Sequence, residues 1–199
     1  MAFSASNLLI QLGFDLTNSP KDFNLTDNTD YSAETYSNVL GLLRAVDPSG
    51  SQFYNNTDYG DPDINIGVSN VSATLANLPL GTDGLVKPGT YTFVYSAKLE
   101  DMLQSHTILS NDSGAKTFTI NGNYAAQILD GTASNWECVD TGTTALTIVS
   151  ATYSSSTGLT TVTINETLGA LTALAQLKWT VDVVYSQTFT QDFSYATLS

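Results

Sequence analysis

One histidine, one cysteine, two tryptophans and 19 acidic side chains are the groups on which this chain could build chemistry. Ser105 stands directly before His106, and a hydroxyl beside a histidine is the start of a nucleophile and base pair. Such a pair needs a third group to orient the base, and no Gly-x-Ser-x-Gly elbow surrounds it. His106 is therefore read as a solvated or linker residue. Asp58, Asp61 and Asp63, within Asp58-Tyr-Gly-Asp-Pro-Asp63, offer the hard oxygen ligands that calcium takes. The order of an EF-hand loop is missing, and the run reads as an acidic turn. Asp27 and Asp30 are expected to accept backbone amides in turns. Cys138 has no second cysteine to pair with, so a disulfide would need a second copy of the chain, and a small buried hydrophobe is the expected role.

Trp136, Trp179 and the 10 tyrosines can stack on sugar rings, or fill β cores and subunit interfaces. No spacing among the acidic residues picks out the carboxylate pair of a glycosidase. No residue is assigned as catalytic, cofactor-binding or metal-ligating, no cofactor is expected, and the chain is expected not to be an enzyme.

The elements that would carry these residues are almost all strands. Tyr91, Phe93, Tyr95, Ala97 and Leu99 alternate with Thr92, Val94, Ser96 and Lys98, the period-two pattern of a half-buried strand. Lys87-Pro-Gly-Thr90 turns into it, the proline fixing φ and the glycine accepting a positive one. Trp179, Val181, Val183 and Tyr185 form a second alternating face, and Phe189, Phe193 and Tyr195 a third, read as two separate strands. Leu8, Ile10, Leu12 and Phe14 alternate, Phe23 and Leu25 follow Pro20, and Ile64, Ile66 and Val68 alternate again. Residues 39–46 are apolar on both faces, as in a covered central strand, with a helix over 38–45 as the rival. Asp47-Pro-Ser-Gly50 then turns. Residues 168–177 fit a short helix or a loop against the core.

Between these groups, 116–164 reads as a small β-module. Phe118 and Ile120 alternate, Asn121-Gly122 turns the chain, and Tyr124 resumes an extended run. Leu146 and Ile148 lead through Ser150-Ala-Thr-Tyr153 to a polar turn over 154–158, and the β-branched 160–164 is expected to return as its hairpin partner.

Composition narrows the function. With 199 residues the chain can bury a core without staples. A net charge of −13 argues against gripping a phosphate backbone, and suits either plain solubility or a wall past which DNA slides. The first ten residues carry no positive n-region, and no stretch reaches the ~20 apolar residues of a membrane span. A soluble protein made in a cytoplasm is expected.

Two sets of residues carry a resemblance. Asp22-Phe-Asn-Leu-Thr-Asp-Asn-Thr-Asp-Tyr31, Gly41-Leu-Leu-Arg-Ala-Val-Asp-Pro-Ser-Gly50, Phe53-Tyr-Asn-Asn56 and Asp63-Ile64 resemble the opening strands of an immunoglobulin-like domain in virion proteins of tailed bacteriophages, especially the crAss-like phages of Bacteroidetes. Pro88-Gly-Thr-Tyr91 and Phe189-Thr-Gln-Asp-Phe193-Ser-Tyr195 are similar to that domain's later strands, although Ala196 stands where a cysteine often follows. Lys116-Thr-Phe-Thr-Ile-Asn-Gly-Asn-Tyr124, Leu146-Thr-Ile-Val-Ser-Ala-Thr-Tyr153 and Thr160-Thr-Val-Thr-Ile164 resemble a small β-domain of phage structural proteins.

The resemblance implies an all-β chain, an immunoglobulin-like β-sandwich (residues 1–109 plus 171–199) with a small inserted β-domain (110–170). It implies a non-enzymatic virion protein, synthesised in the host cytoplasm, that forms an oligomeric ring or sleeve at the neck or tail. Its expected partners are copies of itself in a symmetric ring and other neck or tail proteins, with no specific nucleic-acid binding and no membrane. The alternative is a carbohydrate-binding or adhesive β-sandwich on the virion or a cell surface.

Overall fold

The computed structural model describes residues 4–18, 20–55, 59, 65–66 and 76–194, with only the backbone of Asn65 and Ala76. The fold is nearly all β. Its strands are β1 (Ile10–Asp15), β2 (Asp22–Asp27), β3 (Asn38–Val46), β4 (Gln52–Asn55), β5 (Asn65–Ile66), β6 (Ala76–Asn77) and β7 (Gly89–Asp112), then β8 (Thr117–Asn121), β9 (Ser134–Val139), β10 (Thr143–Ala145), β11 (Ile148–Ser154), β12 (Leu159–Ile164) and β13 (Gln176–Phe193). A single-turn helix, α1, spans Ala125–Ile128. The chain divides into two compact units, one of Met1–Glu34, Asn38–Leu99 and Val184–Ser199, the other of Thr35–Ser37 and Glu100–Val183.

In the first unit, β1 pairs antiparallel with β2, Leu12 opposite Leu25 and Phe14 opposite Phe23. A second sheet runs β4, β3, the first part of β7 and the last part of β13. Side-chain bonds from Thr90 to Asp192 (2.5 Å) and between Ser96 and Ser186 (2.6 Å) show that these parts of β7 and β13 run antiparallel. The alternation in β7 does what the sequence indicates: Tyr91, Phe93, Tyr95, Ala97 and Leu99 are all fully buried. Phe14 and Phe23 of one sheet meet Phe93 of the other at 5.8 and 5.4 Å between ring centroids, and Phe14 meets Phe193 edge-on at 5.3 Å. Such tilted pairs add ~0.5–1.5 kcal/mol each beyond the apolar area they bury. Gly89, at φ +126°, sits so close to the 47–50 turn that a Cβ there would lie 2.7 Å from Pro48 Cβ. Only glycine lets β7 start where it does.

The second unit is a closed barrel. Its strands are hydrogen-bonded in the order β10, β9, β13, β7, β8, β12, β11, and β10 runs into β11 through Leu146 and Thr147 alone. The two ends of the row are thus one bent strand. Pairing continues through the bend, from Leu146 N–H to the Trp136 carbonyl (2.8 Å) and from Asn165 N–H to the Thr147 carbonyl (3.0 Å). Closure needs curvature, and bulges supply it: the register shifts at Ile108/Ser110 in β7 and at Ile148/Ser150 in β11, leaving Leu109 and Val149 as exposed extra residues. In β9, Asn135 takes a positive φ where the pairing with β13 slips. Phe118, Ile120, Val162, Ile164, Leu177 and Trp179 fill the interior.

Several local expectations change. Trp179 to Phe193 is one strand, because Ser186-Gln-Thr188 contains no turn-forming glycine, proline or asparagine. The chain after Tyr124 turns into α1 instead of extending, since Ala125-Ala-Gln are helix formers and Ile128 N–H reaches the Tyr124 carbonyl at 2.8 Å. Of the two readings of 168–177 the loop holds over 168–175, with a turn closed from Ala175 N–H to the Thr172 carbonyl (3.2 Å), and β13 begins at Gln176. The span 38–46 is a strand, and 148–164 forms the expected hairpin with Ser154 opposite Leu159. The two compact units divide at 99/100 and 183/184, with Thr35–Ser37 belonging to the second.

Candidate functional site

The side chains with most chemical potential gather inside the barrel. Thr160, fully buried, donates its hydroxyl to the Gly122 carbonyl (2.6 Å) and accepts Tyr124 N–H (3.0 Å). This staple folds the 122–124 turn inward and sets the Tyr124 ring 4.0 Å from that of His106. His106 in turn lies 5.2 Å from Trp179, and Trp136 stacks on Trp179 at 5.4 Å and 21°. Three strands and one turn thus contribute to a single aromatic column. Burial lowers the His106 pKa, so the ring is neutral at pH 7. Its Nε2, the Trp179 Nε1 and the Gln127 Oε1 are buried atoms without a hydrogen-bond partner among the described residues.

This column packs as part of the barrel core. Ser105 and His106 are neighbours on a strand, and successive side chains on a strand point to opposite faces. The Ser105 hydroxyl faces out and donates to Gln176 Oε1 at 3.1 Å, while His106 points in among the aromatics, not into solvent or a linker. Trp179 is fully buried and Trp136 half-buried against it, so this pair packs within the barrel, and Trp179 offers no surface to a sugar ring.

Cys138 is buried in the same interior, its pKa raised by burial and by the Asp140 carboxylate. A thiol held in that state is a poor nucleophile. Asp140 accepts the backbone N–H and hydroxyl of Thr172, tying the 168–175 loop to β9. Two shallow depressions flank that loop. One, of about 290 Å³, is lined by Cys138, Asp140, Thr144, Thr167 and Gly169; the other, of about 450 Å³, by Leu109, Asn111, Ala170 and Ala173. Asp140 is the one carboxylate among these linings, and it is already engaged.

In the first unit, Asp27 is fully buried. It accepts hydroxyl protons from Tyr31 and Tyr95, both at 2.7 Å, and the Thr29 N–H at 2.9 Å. Burial and the nearby Asp27 carboxylate push the Tyr95 hydroxyl pKa far above its ordinary value. The backbone role expected of Asp27 is present, but the two tyrosines were not foreseen. A signal existed: Phe23, Leu25 and Asp27 share one face of β2, so an aspartate continues a buried stripe. Asp30 accepts Ser32 N–H at 2.9 Å and, held chiefly by Ser32, has a lowered pKa. Asp47 accepts from the Ser49 and Ser51 amides and the Ser49 hydroxyl, with Lys87 at 3.7 Å. Asp58, Asp61 and Asp63 lie outside the described residues. Among the described residues, no group of three histidine, cysteine or acidic side chains is placed to hold a metal ion.

The basic residues are dispersed and largely occupied within the chain. Lys116 and Lys21 donate to the Asn165 and Leu16 carbonyls, and Lys98 lies over the Tyr59 ring at 5.4 Å. The excess negative charge of the sequence therefore meets little internal compensation. Compared with protein-family models, curated proteins and solved structures, the chain matches none.

Proposed function

We propose that this chain is a non-enzymatic structural protein of a tailed-bacteriophage virion, assembling as an oligomeric ring or sleeve at the neck or tail. The phage assignment rests on the resemblance of its strand motifs. One structural observation supports the non-catalytic part: among the described residues, the histidine, the cysteine and both tryptophans are taken up in packing. His106, Trp136, Trp179 and Cys138 pack the barrel, and Asp27 closes a buried tyrosine network.

On this reading the first unit is an immunoglobulin-like sandwich, its two facing sheets sharing an aromatic layer. The segment that leaves it after Leu99 and returns at Val184 is the inserted β-domain. Two units give separate surfaces for lateral and axial neighbours, and head-to-tail contacts between copies close into rings where the rotation permits. An acidic wall suits a passage through which DNA moves without sticking.

The test is peptide mass spectrometry of particles purified from the phage whose genome encodes the chain, with antibody labelling in the electron microscope. Recovery in fixed stoichiometry with label at the neck or tail supports the proposal. Absence from purified particles overturns it.

A further inference from the structure

In the first unit, β13 has β7 on one side. Its other neighbour, β9, pairs only with 176–180, in the barrel. Over 186–193 no described strand lies along the outer edge. Natural sheet edges are guarded by lysine, proline, bulges or brevity, and 186–193 carries none of these; its single charge is Asp192, near the end.

The sequence of this edge is its own complement. Gln187-Thr-Phe-Thr-Gln191 reads the same in both directions about Phe189. We propose that this edge pairs antiparallel with the same edge of a second copy, about a two-fold axis at Phe189. In that register Phe189 meets Phe189, Thr188 meets Thr190, Gln187 meets Gln191 and Ser186 meets Asp192. The interface is isologous, so every contact off the axis occurs twice and Phe189 meets its own copy once.

Each opposition is chemically matched. Thr188, Thr190, Ser186 and Asp192 are exposed on one face, while Gln187, Phe189 and Gln191 are half-buried on the other. Threonine pairs and aromatic pairs are favourable across strands. The register sets the Gln187 and Gln191 amides opposite each other, and the Gln191 Nε2 uses one proton on the Asp192 carbonyl (3.0 Å). Asp192, which already accepts from Thr90, faces a neutral serine, so the edge's one charge does not oppose itself across the axis. A two-fold dimer does not depend on the virion reading, because rings need head-to-tail contacts on other surfaces.

The full chain is tested by sedimentation velocity from about 1 µM to about 1 mM, at a salt concentration that screens its charge. The wild type is expected to form dimers. Thr188→Lys with Thr190→Lys opposes two lysine pairs and is expected to weaken the dimer by about tenfold or more. Thr188→Lys with Thr190→Glu sets lysine against glutamate across the axis and is expected to restore it. Amide exchange of the wild type adds a readout free of substitutions: protection should rise with concentration over 186–192. A chain that stays monomeric, a dimer indifferent to the lysine pair, or a dimer without new protection at this edge would each overturn the proposal.

Discussion

Replacing Tyr95 by phenylalanine removes one hydroxyl from the Asp27 network and little else, since the ring stays in the fully buried stripe of β7. The lost bond is a 2.7 Å donation to a buried carboxylate, a class worth ~1.5–3 kcal/mol. Tyr31 and the Thr29 amide still serve Asp27, so the single change should cost about 2 kcal/mol. Tyr31→Phe should cost a similar amount. The double variant leaves Asp27 with the Thr29 amide alone, and its cost should exceed the sum, reaching about 5 kcal/mol or more, because an under-solvated buried carboxylate is heavily penalised.

The assay is urea unfolding at pH 7 followed by far-UV circular dichroism, with linear extrapolation. The pH profile gives a second readout. Tyr95 has its folded pKa raised above the ordinary value of 10.0, so its contribution is complete below that value and is lost as pH rises toward the folded one. Wild type should therefore lose stability more steeply above about pH 10 than Tyr95→Phe. A Tyr95→Phe protein within ~0.5 kcal/mol of wild type, together with an additive double variant, would refute the network's role.

Gly122 has φ +100°, and a Cβ there would lie 2.6 Å from Tyr124 Cε2; Gly122→Ala should cost ~1–3 kcal/mol, read by tryptophan fluorescence, since both tryptophans lie in the barrel. Cys138 should resist thiol reagents in the native protein and react once urea unfolds it. Asp47 has its pKa lowered, first by the Ser49 hydroxyl, with the Ser51 and Ser49 amides and Lys87 assisting against burial. Its stabilisation is present above the ordinary aspartate pKa and lost as pH falls through the lower folded value, so Asp47→Asn should flatten the acid limb of a stability profile. An unchanged acid limb would exclude it.

Period-two alternation carries real information here, because one buried face forces every second residue inward. That is why β2, the start of β7 and the β11–β12 hairpin were readable, and why Gly50 and Gly89 mark turns at positive φ. Closure of the barrel was not readable. It depends on a bend at Leu146 and Thr147 and on bulges at Leu109 and Val149, and bulges leave no fixed residue signature. The fate of His106 was hidden for the same reason: strand pleat separates it from Ser105, but Trp179 and Tyr124 reach it only after closure. Asp27 shows the opposite case, a polar residue on a buried stripe whose partners lie 4 and 68 positions away.

Function by fitting surfaces together, without bond-making chemistry, is tested most directly by the particles the purified chain forms. Under the proposed virion role, native mass and electron-microscopic class averages should be collected with and without neck and tail proteins of the encoding phage. Closed particles of one rotational symmetry, containing a whole multiple of the 21.2 kDa chain, are expected. A chain that remains a 21.2 kDa monomer throughout would contradict it.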